Sequence, residues 1–146
     1  MNQISDDQIR AEVQKFWRSF TAKEKADFQQ RYLPTATCFS GDGRRAEPAR
    51  LMWVRREREF FGAQSSVSAK LGAIQIQLLR ADLAIASYGF HFALIRVMPN
   101  GKRLQVDVPF ARVTQVFQRD SEGALVIIHE HLSSAEPATP TELPRT

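Results

Sequence analysis

The stretch LAIASYGFHFALIRVMPNGKRLQVDVPFARVTQVFQRDSEGALVIIHEHLSS, residues 83–134, decides the fold. It holds three long apolar runs rich in β-branched residues, and each break between them is a turn. Pro99-Asn100-Gly101 presets one turn, because Pro fixes φ and Asn-Gly tolerates positive φ. Asp120-Ser121-Glu122-Gly123 supplies the second. The reading is three antiparallel strands, 83–98, 103–119 and 124–134, joined by tight hairpins. Pro109 has no N–H to give a sheet, so its strand is expected to bend there or lie at an edge. Upstream, SAKLGAIQIQLLR (68–80) alternates around Ile74 and Ile76 and predicts one more strand.

Before Gly62 the pattern is helical. Ser5 is placed to cap a helix whose first turn carries Asp6 and Asp7. Ile9, Val13, Phe16, Trp17 and Phe20 recur at helical spacing and demand a buried face. Thr21 and Glu24 form a capping-box pattern for a second helix, ended before Pro34. ATCFS (36–40) reads as a short strand and GDGRR (41–45) as a turn. Pro48 suits the first position of a third helix, with Leu51, Val54 and Phe61 on one side and Gly62 as its stop. Helices first and strands after predict an α+β architecture: a cone-shaped, curved antiparallel sheet covered by three N-terminal helices. Residues 1–134 form the single domain. AEPATPTELPRT (135–146) reads as a disordered Pro-rich tail.

Composition narrows the function classes. A hydrophobic share of 43% with 25% charged residues is that of a globular chain, and no apolar run approaches the ~20 residues of a membrane span. The N-terminus lacks a signal-peptide core, and the single Cys38 excludes an internal disulfide, so a cytoplasmic location without membrane contact is expected. The net charge of +4 raises nucleic acid as a partner. However, arginines alternate with glutamates in RLMWVRREREFF (50–61) instead of forming a phosphate-tracking stripe, so no nucleic acid is expected. No phosphate loop, nucleophile elbow or cofactor fingerprint appears, and no cofactor is expected.

The element order, together with R-V-T-Q-V-F, a charged turn with Gly123 and a closing H-E-H-L-S, resembles the nuclear transport factor 2-like superfamily over about residues 5–134. Within it the SnoaL-like proteins and the calcium/calmodulin-dependent kinase II association domain are the nearest relatives by pattern. The family's usual Trp is replaced here by Leu125. The resemblance implies a cone with a pocket at its mouth and a homodimer formed through the opposite face of the sheet. It also implies a mechanism class, cofactor-free acid–base chemistry of the ketosteroid isomerase and cyclase kind, without carrying over residues.

Tight hairpins would place His91 opposite Phe110, Arg112 opposite His131, Thr114 opposite His129, and Val113 in a row between Tyr88 and Glu130. A bulge at Gly89 or Pro109 would shift this register. Alternation then puts His91, Arg112, Thr114, His129 and His131 on one face, and Tyr88, Phe90, Phe92, Gln115 and Glu130 on the other. The second face is the more aromatic and is assigned to the cavity. Glu130 is the candidate catalytic acid or base, since burial raises a carboxyl pKa. Tyr88 is the candidate donor to an oxyanion, and Asp107 is a second possible base. Trp53, Phe90, Phe92, Gln115, Arg96 and Tyr32 are candidate ligand-binding residues, with Arg96 able to hold an anionic group. The histidine face is a candidate dimer interface or alternative polar site. His-x-His on a strand fits some zinc sites, but the Arg112 guanidinium expected beside His131 would repel a dication, so no metal is expected. Two readings stay open: an isomerase, dehydratase or cyclase acting on a small apolar carbonyl compound, and a non-catalytic homodimeric carrier or association scaffold.

Overall fold

The computed structural model describes residues 2–40, 44–55, 65–133 and 140–144, apart from the side chains of residues 65, 92 and 106–111. Helix α1 (Asp6–Thr21) begins as its sequence dictates. The Ser5 side chain accepts from the Gln8 N–H while the Gln8 side chain accepts from the Ser5 N–H. Its buried stripe is Ile9, Val13, Phe16, Trp17 and Phe20, and each such side chain is worth roughly 1.5–3 kcal/mol when fully removed from water. The expected Thr21–Glu24 capping box does not form, because both residues serve the end of α1. Glu24 N–H bonds the Ser19 carbonyl and Lys23 N–H bonds that of Phe20, with Lys23 left-handed at φ 60°. Helix α2 (Lys25–Gln30) therefore starts without a side-chain cap.

Strand β1 (Tyr32–Ser40) begins four residues earlier than the sequence pattern suggested. Pro34 is tolerated there because the register is interrupted between Tyr32 and Thr37. Strand β2 (Glu47–Pro48) takes Pro48 out of helix α3 (Ala49–Arg55). The buried face of α3 is Ala49, Met52 and Trp53, whereas Leu51 and Val54, expected to face inward, are 58% and 49% exposed. Phe61, Gly62 and residues 41–43 of the predicted turn lie outside the described residues.

The segment 68–80 divides into β3 (Ser65–Leu71) and β4 (Gln75–Arg80), both pairing with successive halves of β5 (Leu83–Val97). Strands β6 (Arg103–Arg119) and β7 (Leu125–Ser133) complete the two hairpins. The sheet order is β2-β1-β7-β6-β5-β3. It is mixed and not purely antiparallel, since β1 runs parallel to β7. Within the stretch expected to be an unstructured tail, Thr141–Leu143 forms β8 along Arg103–Gln105 of β6. Among the described residues no helix is long and apolar enough to cross a membrane.

Both hairpins are one residue longer in the loop than the tight turns expected. Gly101 at φ 80° and Gly123 at φ 87° each follow a turn closed by an i to i+3 bond, from Gly101 N–H to Met98 and from Gly123 N–H to Asp120. The first hairpin therefore starts from Val97↔Arg103, and a bulge between Phe90 and Phe92 restores the expected Tyr88↔Val113 pairing. In the second hairpin the turn and a bulge between Val116 and Phe117 add in the same direction. Glu130 ends opposite Gln115, not Val113. His131 pairs with Thr114 and His129 with Val116, while Arg112 lies opposite Ser133. A displacement of two residues preserves parity, so every face assignment on β7 survives.

Candidate functional site

Glu130, in the middle of β7, has no exposed surface. The neighbouring strands fix what surrounds it, with Cys38 of β1 on one side and Gln115 of β6 on the other. Tyr32 Oη donates to Glu130 Oε1 at 2.7 Å, and Gln115 Nε2 donates to Oε2 at 2.6 Å. Behind each donor stands another. Trp53 Nε1 donates to Tyr32 Oη at 2.8 Å. On the second arm Tyr88 Oη donates to Gln115 Oε1 at 2.7 Å, and Trp17 Nε1 donates to Tyr88 Oη at 2.7 Å. The chain has two Trp and two Tyr, and all four belong to this one buried network.

The indoles at the two ends set its direction. An indole N–H donates and cannot accept, so each tyrosine, having accepted from an indole, must point its own proton inward. Every donor thus converges on the Glu130 carboxylate, and the ionised form is fully paired. A proton on Glu130 breaks this order. Donated toward Tyr32, it leaves the Tyr32 hydrogen facing only an indole donor. Donated toward a turned Gln115 amide, it leaves the Tyr88 hydrogen in the same position. Hydrogen bonding therefore favours the carboxylate, while desolvation favours the acid. Desolvation dominates: burial pushes Glu130 from 4.5 up to about 7 against the lowering bonds from Gln115 and Tyr32. Burial and the Glu130 charge hold Tyr32 well above the ordinary phenol range, and burial does the same for Tyr88, so both remain donors. The Cys38 thiol is pushed by burial to about 12 and is inert, as a small buried hydrophobe should be.

Local structure explains the precision of the Tyr32 arm. Arg50 and Trp53 lie one turn apart on α3. Arg50 donates from Nε and from its terminal nitrogen to the Tyr32 carbonyl, at 3.2 and 2.6 Å, while Trp53 holds the hydroxyl. Around the network the cone is packed with rings. Trp17 lies against Phe90 at 4.2 Å between centroids, and Phe16 and Phe28 both stand edge-on to Tyr32. A cleft of about 250 Å³ between α1 and β3, lined by Gln14, Trp17, Arg18, Thr21, Ala69 and Leu71, reaches the network at the Trp17 ring. Glu130 lines neither that cleft nor a second one between α1, α2 and the turn joining β6 to β7.

The structure thus brings together Glu130, Tyr88, Gln115, Tyr32, Trp53 and Phe90. Tyr88 reaches Glu130 only through Gln115. Arg96 is exposed on β5, eight residues or ~26 Å along the strand from Tyr88, and is not brought to the carboxylate. The side chains of Phe92 and Asp107 lie outside the described residues. On the outer face His91, Arg112 and His131 are exposed. The expected cluster of Arg112 with His131 is replaced by Thr37 Oγ1 bonding His129 Nδ1 at 2.8 Å and by a Ser87–Thr114 contact at 3.4 Å. Among the described residues no group of three His, Cys, Asp or Glu side chains could hold a metal ion. Sequence reasoning placed Trp17 in the core but missed its role as a terminal donor. The signal was available, since two tyrosines and two tryptophans buried together must find partners for their polar tips.

No family model and no curated protein matches the sequence. Solved structures do match. A nuclear transport factor 2-like superfamily protein from Salmonella enterica is 18% identical over 89% of this chain and 90% of its own, with a TM-score of 0.65. A ketosteroid isomerase-like protein from Erwinia carotovora is 13% identical over 88% and 95% of the two chains, also at 0.65. A hexachlorocyclohexane dehydrochlorinase, LinA type 2, is 10% identical over 94% and 90%, at 0.66. Likeness at such low identity is a statement about architecture: three helices against a large, curled, mixed sheet give this chain the nuclear transport factor 2-like fold.

Proposed function

We propose that this chain binds a small, largely apolar molecule in its aromatic cone and that Glu130 exchanges a proton with it. One observation carries the reading: a wholly buried carboxyl, raised to about 7, at which both donor arms of the buried network converge. Such a group is close to half ionised at neutral pH, so it can take or return a proton without a cofactor. Keeping it charged in this setting is costly, and a glutamine of the same size would avoid that cost; a stability-compromising group of this kind is a functional candidate. The reaction class that fits is proton abstraction beside a carbonyl, leading to isomerisation, dehydration or cyclisation. The ligand enters by the α1–β3 cleft. Displacing the Trp17 ring lets the Tyr88 hydroxyl turn its proton from Gln115 to the developing oxyanion, and Gln115 swings away from Oε2 so that this oxygen takes the substrate proton while Tyr32 keeps Glu130 oriented. Asp107 stays a second proposed base, and the outer face with Arg112, Thr114, His129 and His131 is proposed as the contact with a second copy. Fold likeness by itself selects none of this.

The reading is tested in heavy water. The protein is incubated with a panel of apolar ketones and enones, binding is followed by tryptophan fluorescence, and deuterium uptake next to the carbonyl is measured by mass spectrometry. Ligands that bind should take up deuterium with the native chain and not with Glu130→Gln. A second reading, a non-catalytic carrier or association scaffold, is favoured by the ring-filled interior in which Trp53 and Phe90 are buried. Binding without uptake by the native chain would decide for it.

A further inference from the structure

The geometry points to a second binding site, separate from the cone, for a small monoanionic molecule such as an organic carboxylate. It is a cleft of about 550 Å³ between α1, α2 and the turn joining β6 to β7. That volume lies within the ~300–1,000 Å³ typical of small-molecule sites. Its charged lining is Glu12, Lys15, Asp27, Arg31 and Arg119. Three cations against two carboxylates leave a surplus of one positive charge.

The position of that surplus follows from the pairing. Arg31 bridges Glu12 at 3.2 Å and Asp27 at 3.1 Å, and Lys15 stands 3.7 Å from Glu12. Both carboxylates are therefore engaged. Arg119 has no carboxylate partner among the described residues. Its guanidinium donates to the neutral Gly123 carbonyl at 2.9 Å and, at the long distance of 3.5 Å, to Gln8 Oε1. Its Nε–H is buried without a partner, and so is that of Arg31. A buried donor without a partner is costly even on a side chain that is otherwise partly exposed, and a guanidinium pairs best with a planar two-oxygen anion. Giving up the weak Gln8 contact lets Arg119 turn its Nε–H edge to a carboxylate in the cleft. Ala11, Ala124, Leu125 and Val126 offer apolar surface for the rest of the molecule. A dianion is disfavoured, because its second charge meets Glu12 and Asp27 with no free cation to match it.

The experiment is a titration of the full chain with sodium benzoate and, separately, with inorganic phosphate at constant ionic strength, followed by the arginine Nε–H signals in ¹⁵N-resolved NMR. Benzoate should shift the Arg119 signal saturably, and phosphate should bind more weakly. Arg119→Gln, which keeps a donor for the Gly123 carbonyl, should weaken benzoate binding by about tenfold or more. Glu12→Gln, which adds to the positive surplus, should tighten it several-fold. Glu130→Gln should leave it unchanged, so this site stands or falls independently of the cone. An Arg119 shift linear in benzoate or reproduced by chloride, or a saturable shift of the Arg31 signal that Arg119→Gln leaves unchanged, would overturn the assignment.

Discussion

Replacing Glu130 by Gln should make the protein more stable at pH 8 and change it little at pH 4.5. The Glu130 carboxyl titrates near 4.5 when unfolded and at about 7 when buried. Between those values the native state binds more protons than the unfolded chain, so its stability must fall as pH rises. The contribution is fully present below pH 4.5 and gone above about pH 7, a loss of about 3 kcal/mol at ~1.4 kcal/mol per pH unit. Gln cannot ionise, so the variant lacks this slope. At low pH the two side chains are alike, both neutral and both leaving one tyrosine hydrogen unpaired, and their stabilities should nearly coincide. At pH 8 the variant should lead by about 3 kcal/mol, or on the order of 1–2 M in the urea midpoint. Urea unfolding from pH 4.5 to 8.5, followed by fluorescence, is well suited, since both tryptophans donate into the network. Contributions common to the two proteins cancel in the difference between them. A stability difference that does not vary with pH would refute the reasoning, as would a variant less stable at pH 8.

Gln115→Leu removes a donor from Glu130 and the acceptor of Tyr88 together, so it should cost about 2–4 kcal/mol at pH 8. Because Gln115 lowers the Glu130 pKa, the same variant should move the fluorescence-detected titration above 7. Gly123→Ala should destabilise by about 1–2 kcal/mol, because Gly123 holds φ 87° with nothing near a new Cβ, making the cost purely one of backbone conformation. Gly89→Ala is the control: its Cβ would also meet nothing within 4 Å and its φ is not left-handed, so thermal unfolding should be unchanged or slightly later.

The alternation of residues 83–134 is enough to separate Glu130 from His129 and His131, because a strand's period of two is local and survives any even error in register. That is why the faces were legible even though Glu130 was matched to Val113 and not to Gln115. Helix α1 was equally legible, its cap and its apolar stripe both lying within one turn or one period of sequence. The partners were not legible. Whether a hairpin gains one residue at Gly101 or Gly123, and whether a bulge cancels or doubles that gain, depends on turn and sheet geometry that the apolar pattern does not encode. Nor does sequence show that Tyr32, 98 positions away, is the residue that bonds Glu130, or that Trp17 and Trp53 close the two arms. Those contacts exist only once the helices have packed into the curl of the sheet. Side-chain direction along one strand is set by neighbouring peptide units; which distant hydroxyl meets a carboxylate, and at what pKa, is set by the shape and dryness of the assembled interior.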